Sequence, residues 1–592
     1  MKVSDYIAQK VAEYTSDVFL IPGGGCIHLV DSFDKSTINL IPTLHEQGAS
    51  IAAESYGQYT NNLGVCLVTT GPGATNAVTG VASAWLDSIP MLIICGQVQN
   101  KDRVQDRGVR QIGFQEINSV SIYKDITKYA VTLDDPEMIR YHVEKALWLA
   151  TSGRKGPVLL DIPLDIQACE IEPESLQSYI RTKRDNYIIN VERSIEAMLK
   201  SKHPIILVGN GVRLADAIPE FEKFIKTTNI PVLTTWKALD LLDETDSQYV
   251  GRPGGVGQRG ANFNQQNSDF ILVIGARLDH GQLAYQPQYF ARHATRAIVD
   301  IDVDEINKLG IKIHHPIEMD AKEFLEIANS ILDKKSIPIF SEWQKHCRAL
   351  YEKYPVIEAK YLEKQNIINN YAFMKYLSDL LPSNSLVIPG SSGACSEVTM
   401  QAFQVKKGCR VYNSEGLGAM GFGIPAAIGG CIASGKKETI SVDGDGGFVM
   451  NVQELELVRR YNLPIKFFVL NNDGYGSIKT TQNTHFGGRL VASDPSSGLT
   501  LPSIELTASA YKIPFVRIEN QNNLKQELKE VLDTTGPIIC ELMVDPNHIT
   551  LPKASVYKKE DGSFATRPME DLFPFLDRQE FRENLMIDEI LD

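Results

Sequence analysis

The sequence predicts an α/β chain built from doubly wound parallel sheets, and three observations carry that expectation. Strand-length apolar runs recur along the whole chain: VCLVTT (65–70), MLIICG (91–96), PVLLDI (157–162), PIILVG (204–209), FILVIG (270–275), RAIVDI (296–301), ETISVDG (438–444) and PIKFFVLNN (464–472). Unbroken apolar runs of this length are buried on both faces, as in parallel sheets covered by helices, and helical patterns fill the intervals between them. At 592 residues the chain also exceeds a single hydrophobic core, and roughly 150 residues per domain gives about three or four units.

Taken in order, a first unit spans 1–170 and ends in GRKGPVLLDIPLDI. A polar, strand-poor stretch near 170–190 leads to a second unit at 190–335, and another at 335–368 leads to a third at 368–550. Residues 551–592, charged with scattered aromatics, read as a tail lying over the body. The first and third units share one local plan of strand, glycine turn, small-residue helix and a strand led by proline, at Pro90 and Pro464. A duplicated domain accounts for that likeness, and so does the common building unit of doubly wound sheets.

Composition removes several classes of function. A net charge of -14, with no basic block, opposes binding to nucleic acid or to an anionic membrane. No apolar run is long enough to span a bilayer, and the start, MKVSDYIAQKVAEY, has acidic residues and helical periodicity where a signal peptide has a basic and then an apolar stretch. The nine cysteines are scattered, with no C-x-x-C pair, and read as buried thiols of a cytoplasmic protein.

The chemistry is concentrated in Gly444-Asp445-Gly446-Gly447, followed after a helix and a buried strand by Asn471-Asn472-Asp473-Gly474, Tyr475 and Gly476. A glycine turn at the carboxyl end of a parallel strand lets backbone N–H groups approach a diphosphate. Asp445, the Asn472 side chain and the Gly474 carbonyl supply three hard oxygens, and two diphosphate oxygens and a water complete the octahedron that magnesium prefers.

In this pairing the chain resembles the thiamine-diphosphate-dependent decarboxylases and carboligases, and nearly its whole length follows the acetohydroxyacid (acetolactate) synthase pattern. The resemblance implies three sheet domains, pyrimidine-binding, central and diphosphate-binding. His45-Glu46-Gln47-Gly48-Ala49 matches the pyrimidine-domain segment in which Glu46 shares a proton with the cofactor's aminopyrimidine ring. Met420 matches the side chain under the bend of the cofactor, and Pro22-Gly23-Gly24-Gly25, Thr70-Gly71-Pro72-Gly73 and Phe114-Gln115-Glu116 match segments around the pyrimidine or the mouth of the site. Among these Gln115 is the residue implied to touch the reacting carbons. Arg277, in a GAR-x-D stretch, matches an FAD contact of the flavin-containing members, whereas pyruvate decarboxylases keep the same central domain without flavin. The family's active site lies between two subunits, which implies a homodimer or homotetramer.

The chain also departs from the acetohydroxyacid synthases. Leu164 replaces a lysine near the entrance, Val256 a histidine, and Gly476-Ser477-Ile478-Lys479-Thr480-Thr481-Gln482 a stretch that carries an arginine and a tryptophan. With FGGRLVASDPSSGLTLP and the tail, this is more similar to the yersiniose-type carboligases of polysaccharide loci, which move a two-carbon unit from pyruvate to a nucleotide-linked keto-deoxysugar. The expectation is a 2-oxo acid donor and a carbonyl acceptor of that kind. The alternatives are acetolactate synthesis from two pyruvates, simple decarboxylation, and a cofactor-binding protein without catalysis.

Overall fold

The computed structural model describes residues 1–181, 188–558, 562 and 564–590. The remaining parts of the expected first linker and of the tail lie outside the described residues.

The first sheet holds β1 (Asp17–Leu20), β2 (Asn39–Pro42), β3 (Gly64–Val68), β4 (Met91–Gln97), β5 (Tyr129–Thr132) and β6 (Pro157–Pro163), in the order β2-β1-β3-β4-β6-β5. The second holds β7 (Pro204–Val208), β8 (Val232–Thr234), β9 (Phe270–Ile274), β10 (Thr295–Asp300) and β11 (His315–Glu318), in the order β11-β10-β9-β7-β8. The third holds β12 (Leu386–Pro389), β13 (Arg410–Val411), β14 (Thr439–Gly444), β15 (Ile465–Asn471), β16 (Phe515–Ile518) and β17 (Ile538–Met543), in the order β13-β12-β14-β15-β17-β16. Every pairing in these sheets is parallel, and all eight apolar runs are strands. The outer two sheets have the same strand order, which extends their shared local plan to the whole domain.

In each sheet the chain leaves a starting strand in one direction and returns to its other side, so the order reverses between β1 and β3, between β7 and β9, and between β12 and β14. The connections diverge at these points and leave a crevice beyond the carboxyl ends of the strands, where open α/β sheets bind ligands.

The outer sheets meet through the helices Glu46–Thr60 and Gly423–Ala433. Their facing residues are small, with Ala49, Ala52, Ala53 and Ala427 in one apolar cluster, so the backbones come close. Ser55 Oγ donates to the Ala426 carbonyl (2.7 Å), and the buried Glu454 carboxylate accepts the N–H groups of Leu44 (3.2 Å) and His45 (2.9 Å). His45 caps the first helix, its Nδ1 accepting from Gln47 N (3.0 Å).

The stretch expected as a second linker contains a helix, Ser341–Lys353, that packs Trp343 and Cys347 into the central core and donates from Trp343 Nε1 to the Pro204 carbonyl (2.8 Å). Residues after 550 run first beside the third sheet and then over the central domain. Their seat is the helix Arg259–Gln266, buried at every position despite its polar sequence. Asn262 Nδ2 donates to the Met569 carbonyl (2.6 Å), Arg259 to the Leu572 (3.1 Å) and Pro574 (2.6 Å) carbonyls, Gln266 to Glu570 (3.0 Å), and Asn267 to the Asn584 carbonyl (2.8 Å). No helix among the described residues is long and apolar enough to cross a membrane.

Two stability tests follow from these buried polar groups. Asn262→Ala leaves the Gly254 N–H and the Met569 carbonyl without their partner, an expected cost of about 1–3 kcal/mol, read as a lower melting midpoint. Glu54, on the first helix, accepts from Gln58 Nε2 (2.6 Å) and Ser83 Oγ (3.2 Å), and burial pushes its pKa up to about 8 against the pull of Lys237. A carboxyl raised in the folded state contributes stability that is complete below its unfolded pKa and is lost as pH rises through the folded one. Glu54→Gln is therefore expected to leave the midpoint unchanged near pH ~4.5 and to raise it relative to the parent above pH ~8.

Candidate active site at the reversal points

The richest of the three crevices lies at β12 and β14, where a cavity of about 480 Å³ opens. Its lining includes Met420, Gly444, Asp445, Gly446, Gly447, Asn472, Gly474, Tyr475 and Gly476, so the residues expected from the diphosphate motif come together. β14 and β15 are hydrogen-bonded neighbours, which brings Gly444 opposite Leu470 and sets both motif turns at one edge. One carboxylate joins them: Asp445 Oδ1 accepts from Gly446 N (2.8 Å) and Oδ2 from Gly474 N (3.2 Å). Gly474 has φ +136°, and a Cβ there would collide with the Ser493 carbonyl oxygen.

Burial pushes Asp445 up to about 6, and burial pushes its neighbour Asp443 up to about 7. Asp443 Oδ2 and Asn472 Oδ1 are buried without a hydrogen-bond partner. A low-dielectric site with two carboxyl groups and an orphaned amide oxygen favours a cation, and hard oxygens suit magnesium. No cluster of three or more His, Cys, Asp or Glu side chains among the described residues is arranged to hold a metal. The donors here are instead Asp445, Asn472, backbone oxygen and whatever oxygens a bound anion brings. The residues present fit a diphosphate with its cation.

Sequence reasoning missed the other side of this cavity. Ser392, Gly393 and Ala394 line it from the turn Gly390-Ser391-Ser392-Gly393 that follows β12, and Glu397, His548 and Lys553 close it further round. The signal was present, because this turn stands to β12 as Gly444-Asp445-Gly446 stands to β14.

The remaining expected residues do not line this cavity. Pro22, Gly23 and Gly24 follow β1, and Thr70 and Gly73 follow β3, so they flank the reversal point of the first sheet. Gly25 N donates to Thr69 Oγ1 (3.2 Å), and Thr70 Oγ1 lies 3.4 Å from the Gln115 carbonyl oxygen. Glu46 is half-buried beside them, its Oε2 accepting from Asn76 Nδ2 (2.9 Å). Gln115 and Phe114 are exposed, Phe114 by 85%. Within one chain the two sets of residues therefore form separate surfaces.

Arg277 lies at the third reversal point, in a cleft of about 140 Å³ with Gly211, Asp279, Asp300 and Lys237. Its guanidinium donates to the Leu86 carbonyl (3.1 Å), and burial pushes Asp300 up to about 6.

Comparison with known proteins agrees with this architecture sheet by sheet. Residues 1–122 match the N-terminal TPP binding domain of thiamine pyrophosphate enzymes, 191–327 their central domain and 391–542 their C-terminal TPP binding domain. Three such domains in this order define a thiamine pyrophosphate enzyme. The chain is 33% identical over 568 residues to acetolactate synthase 2, chloroplastic, of Nicotiana tabacum, covering 93% of this chain and 83% of that protein. It is 31% identical over 534 residues to the acetolactate synthase isozyme 2 large subunit of Escherichia coli, covering 90% and 94%. The chain belongs to the acetolactate synthase-like family of thiamine pyrophosphate-dependent enzymes.

The Gly474 turn offers a direct test of the cradle. Gly474→Ala forces a strained backbone costing about 1–3 kcal/mol and is expected to weaken thiamine diphosphate binding in a calorimetric titration. Undiminished affinity would detach this turn from the cofactor.

Proposed function

We propose that the chain is a carboligase that takes a two-carbon unit from pyruvate, or a close 2-oxo acid, and transfers it to the carbonyl of a nucleotide-linked keto-deoxysugar. The observation that carries this reading is the wall made by the helix Gly476–His485. Ser477, Ile478, Thr480 and Thr481 line the cavity there, together with Val256 from the central domain. Lys479, the cation of that helix, is buried and donates to the Asn472 carbonyl (2.9 Å) instead. This uncharged wall suits a bulky hydroxylated acceptor, while Lys553 elsewhere in the lining can meet an acidic group of donor or acceptor.

Thiamine diphosphate, when bound, supplies the carbon nucleophile and the electron sink for loss of carbon dioxide. In this reading Asp445, Asn472 and the Gly474 carbonyl hold magnesium against the diphosphate, the turns at Ser392 and Gly446 receive its oxygens, and Met420 supports the ring system. Glu46 holds and returns a proton at the aminopyrimidine, with Asn76 orienting its carboxylate, and Gln115 faces the reacting carbons. Because Glu46 and the cavity form separate surfaces of one chain, the pyrimidine half is taken from a second copy. The exposed side chains of Phe114, Ile112 and Val109 fit that contact. The central cleft is given to FAD, with Arg277 as a contact. A colourless protein that takes up no FAD on incubation would remove this part.

Acetolactate synthesis from two pyruvates is the second reading, favoured by the similarity to acetolactate synthases over nine tenths of the chain. Mass spectrometry of products separates the two, using the enzyme with thiamine diphosphate, magnesium, FAD and pyruvate, alone and with a nucleotide-linked 4-keto-deoxysugar. A two-carbon gain on the sugar alone supports the carboligase, and acetolactate from pyruvate alone replaces it. Asp445→Ala is expected to abolish magnesium-dependent cofactor binding. Glu46→Gln should keep the cofactor bound while slowing exchange of its C2 proton by roughly 10²–10⁴-fold, and unchanged exchange would take Glu46 out of its role.

A further inference from the structure

At the end of β4 one buried side chain joins two segments of the first-sheet crevice. Gln97 is 3% exposed and uses its whole amide. Its Oε1 accepts from Thr70 Oγ1 (2.9 Å) and from Val98 N (3.0 Å). Its Nε2 donates to the Ile117 carbonyl (2.9 Å) and faces both oxygens of Asp161 (3.4 and 3.3 Å). Asp161, at 2% exposure on β6, also accepts from Thr132 Oγ1 of β5 (3.0 Å). The amide thus connects the turn after β3 with the loop after β4, and anchors both to the interior of the sheet.

The two connected segments touch directly. Gln115 has φ +65°, and its carbonyl oxygen lies where a Cβ on Gly71 would meet it at 2.5 Å, so residue 71 must be glycine for the turn and the loop to pack. Glu116 braces the loop from within, accepting from the N–H groups of Val104, Ile112 (3.0 Å) and Gly113 (3.2 Å), and Asn100 and Arg103 tie its first residues to Asp165 and Asp134. Over 113–118, Phe114 and Gln115 are exposed, and Gln97 and Thr70 are the side chains that reach this stretch from the sheet.

We propose that Gln97 is a positioning residue, which holds the Thr70-Gly71 turn and the Gln115 segment in register for the reaction of the thiamine diphosphate enzyme. Its effect on turnover rests on the reading that gives Gln115 its place at the reacting carbons, whereas its effect on the two segments does not. Donor and acceptor ends of the amide act on different segments. A glutamate at this position can still accept from Thr70, but once ionised it cannot donate to Ile117 and it repels Asp161, so the comparison is made at alkaline pH, where the two carboxyls do not share a proton.

The test compares Gln97→Leu, Gln97→Glu, Gln115→Ala and the double variant Gln97→Leu/Gln115→Ala as holoenzymes with thiamine diphosphate and magnesium. In hydrogen exchange followed by mass spectrometry, Gln97→Leu is expected to speed exchange about tenfold in both 69–73 and 113–118, and Gln97→Glu in 113–118 alone. Unchanged exchange in these segments, or the same loss throughout the first domain, overturns the proposal whatever the substrate. In turnover with pyruvate, Gln97→Leu is expected to lower kcat with little change in KM, and the double variant to be no slower than Gln115→Ala. Multiplied losses in the double variant overturn the link through Gln115. A fully active Gln115→Ala overturns the role of Gln115 itself, and leaves the exchange pattern to decide whether Gln97 fastens the loop.

Discussion

Strand order sets where this molecule can do chemistry. A parallel sheet whose connections diverge from a starting strand has a gap at the carboxyl edge that no crossover helix can fill. The chain builds this gap three times, and each time puts glycine turns and polar side chains into it. In the outer sheets the sequences at the gap differ while their placement agrees. Pro22-Gly23-Gly24-Gly25 and Thr70-Gly71-Pro72-Gly73 flank one, and Gly390-Ser391-Ser392-Gly393 and Gly444-Asp445-Gly446 flank the other. The two units match the N-terminal and C-terminal TPP binding domains of thiamine pyrophosphate enzymes, so one strand order frames two different sets of crevice residues.

Electrostatics separate the two outer crevices. The third sheet buries Asp443 and Asp445 side by side and leaves the Asn472 oxygen unpaired, an arrangement that is stable only with its carboxyls protonated or with a cation present. The first sheet keeps Glu46 half-exposed and anchors its carboxylate on a neutral amide. Buried carboxyls that favour a counter-ion on one side and a half-exposed carboxylate on the other are what the proposed shared site asks of its two halves.

What could be read in the sequence depended on how completely a segment is buried. The eight apolar runs are β3, β4, β6, β7, β9, β10, β14 and β15, all inside their sheets and unbroken because both faces are covered. Strands at the sheet edges such as β2, β11 and β16 each leave two of their four residues exposed and carry no such run. β17 is buried but is interrupted by Glu541, which is held by Arg517 and Asn471. Missing β12 also hid the Ser392 side of the cavity, since a glycine turn has meaning only after a recognised strand. The diphosphate motif was legible because its two halves sit on adjacent interior strands. That the pyrimidine segment and the diphosphate motif would lie on separate surfaces of one chain was implied by family resemblance, because no local pattern of residues reports which segments share a surface.

The seat beneath the tail bears on the order of events during synthesis. The amides of Asn262, Gln266 and Asn267 are translated some three hundred residues before the groups they bind at 569–586. Until that segment leaves the ribosome the central domain has a row of polar groups facing an empty groove, and it can close only around water. A product that stops before residues 569–586 therefore leaves the middle of the molecule, rather than its end, unfinished.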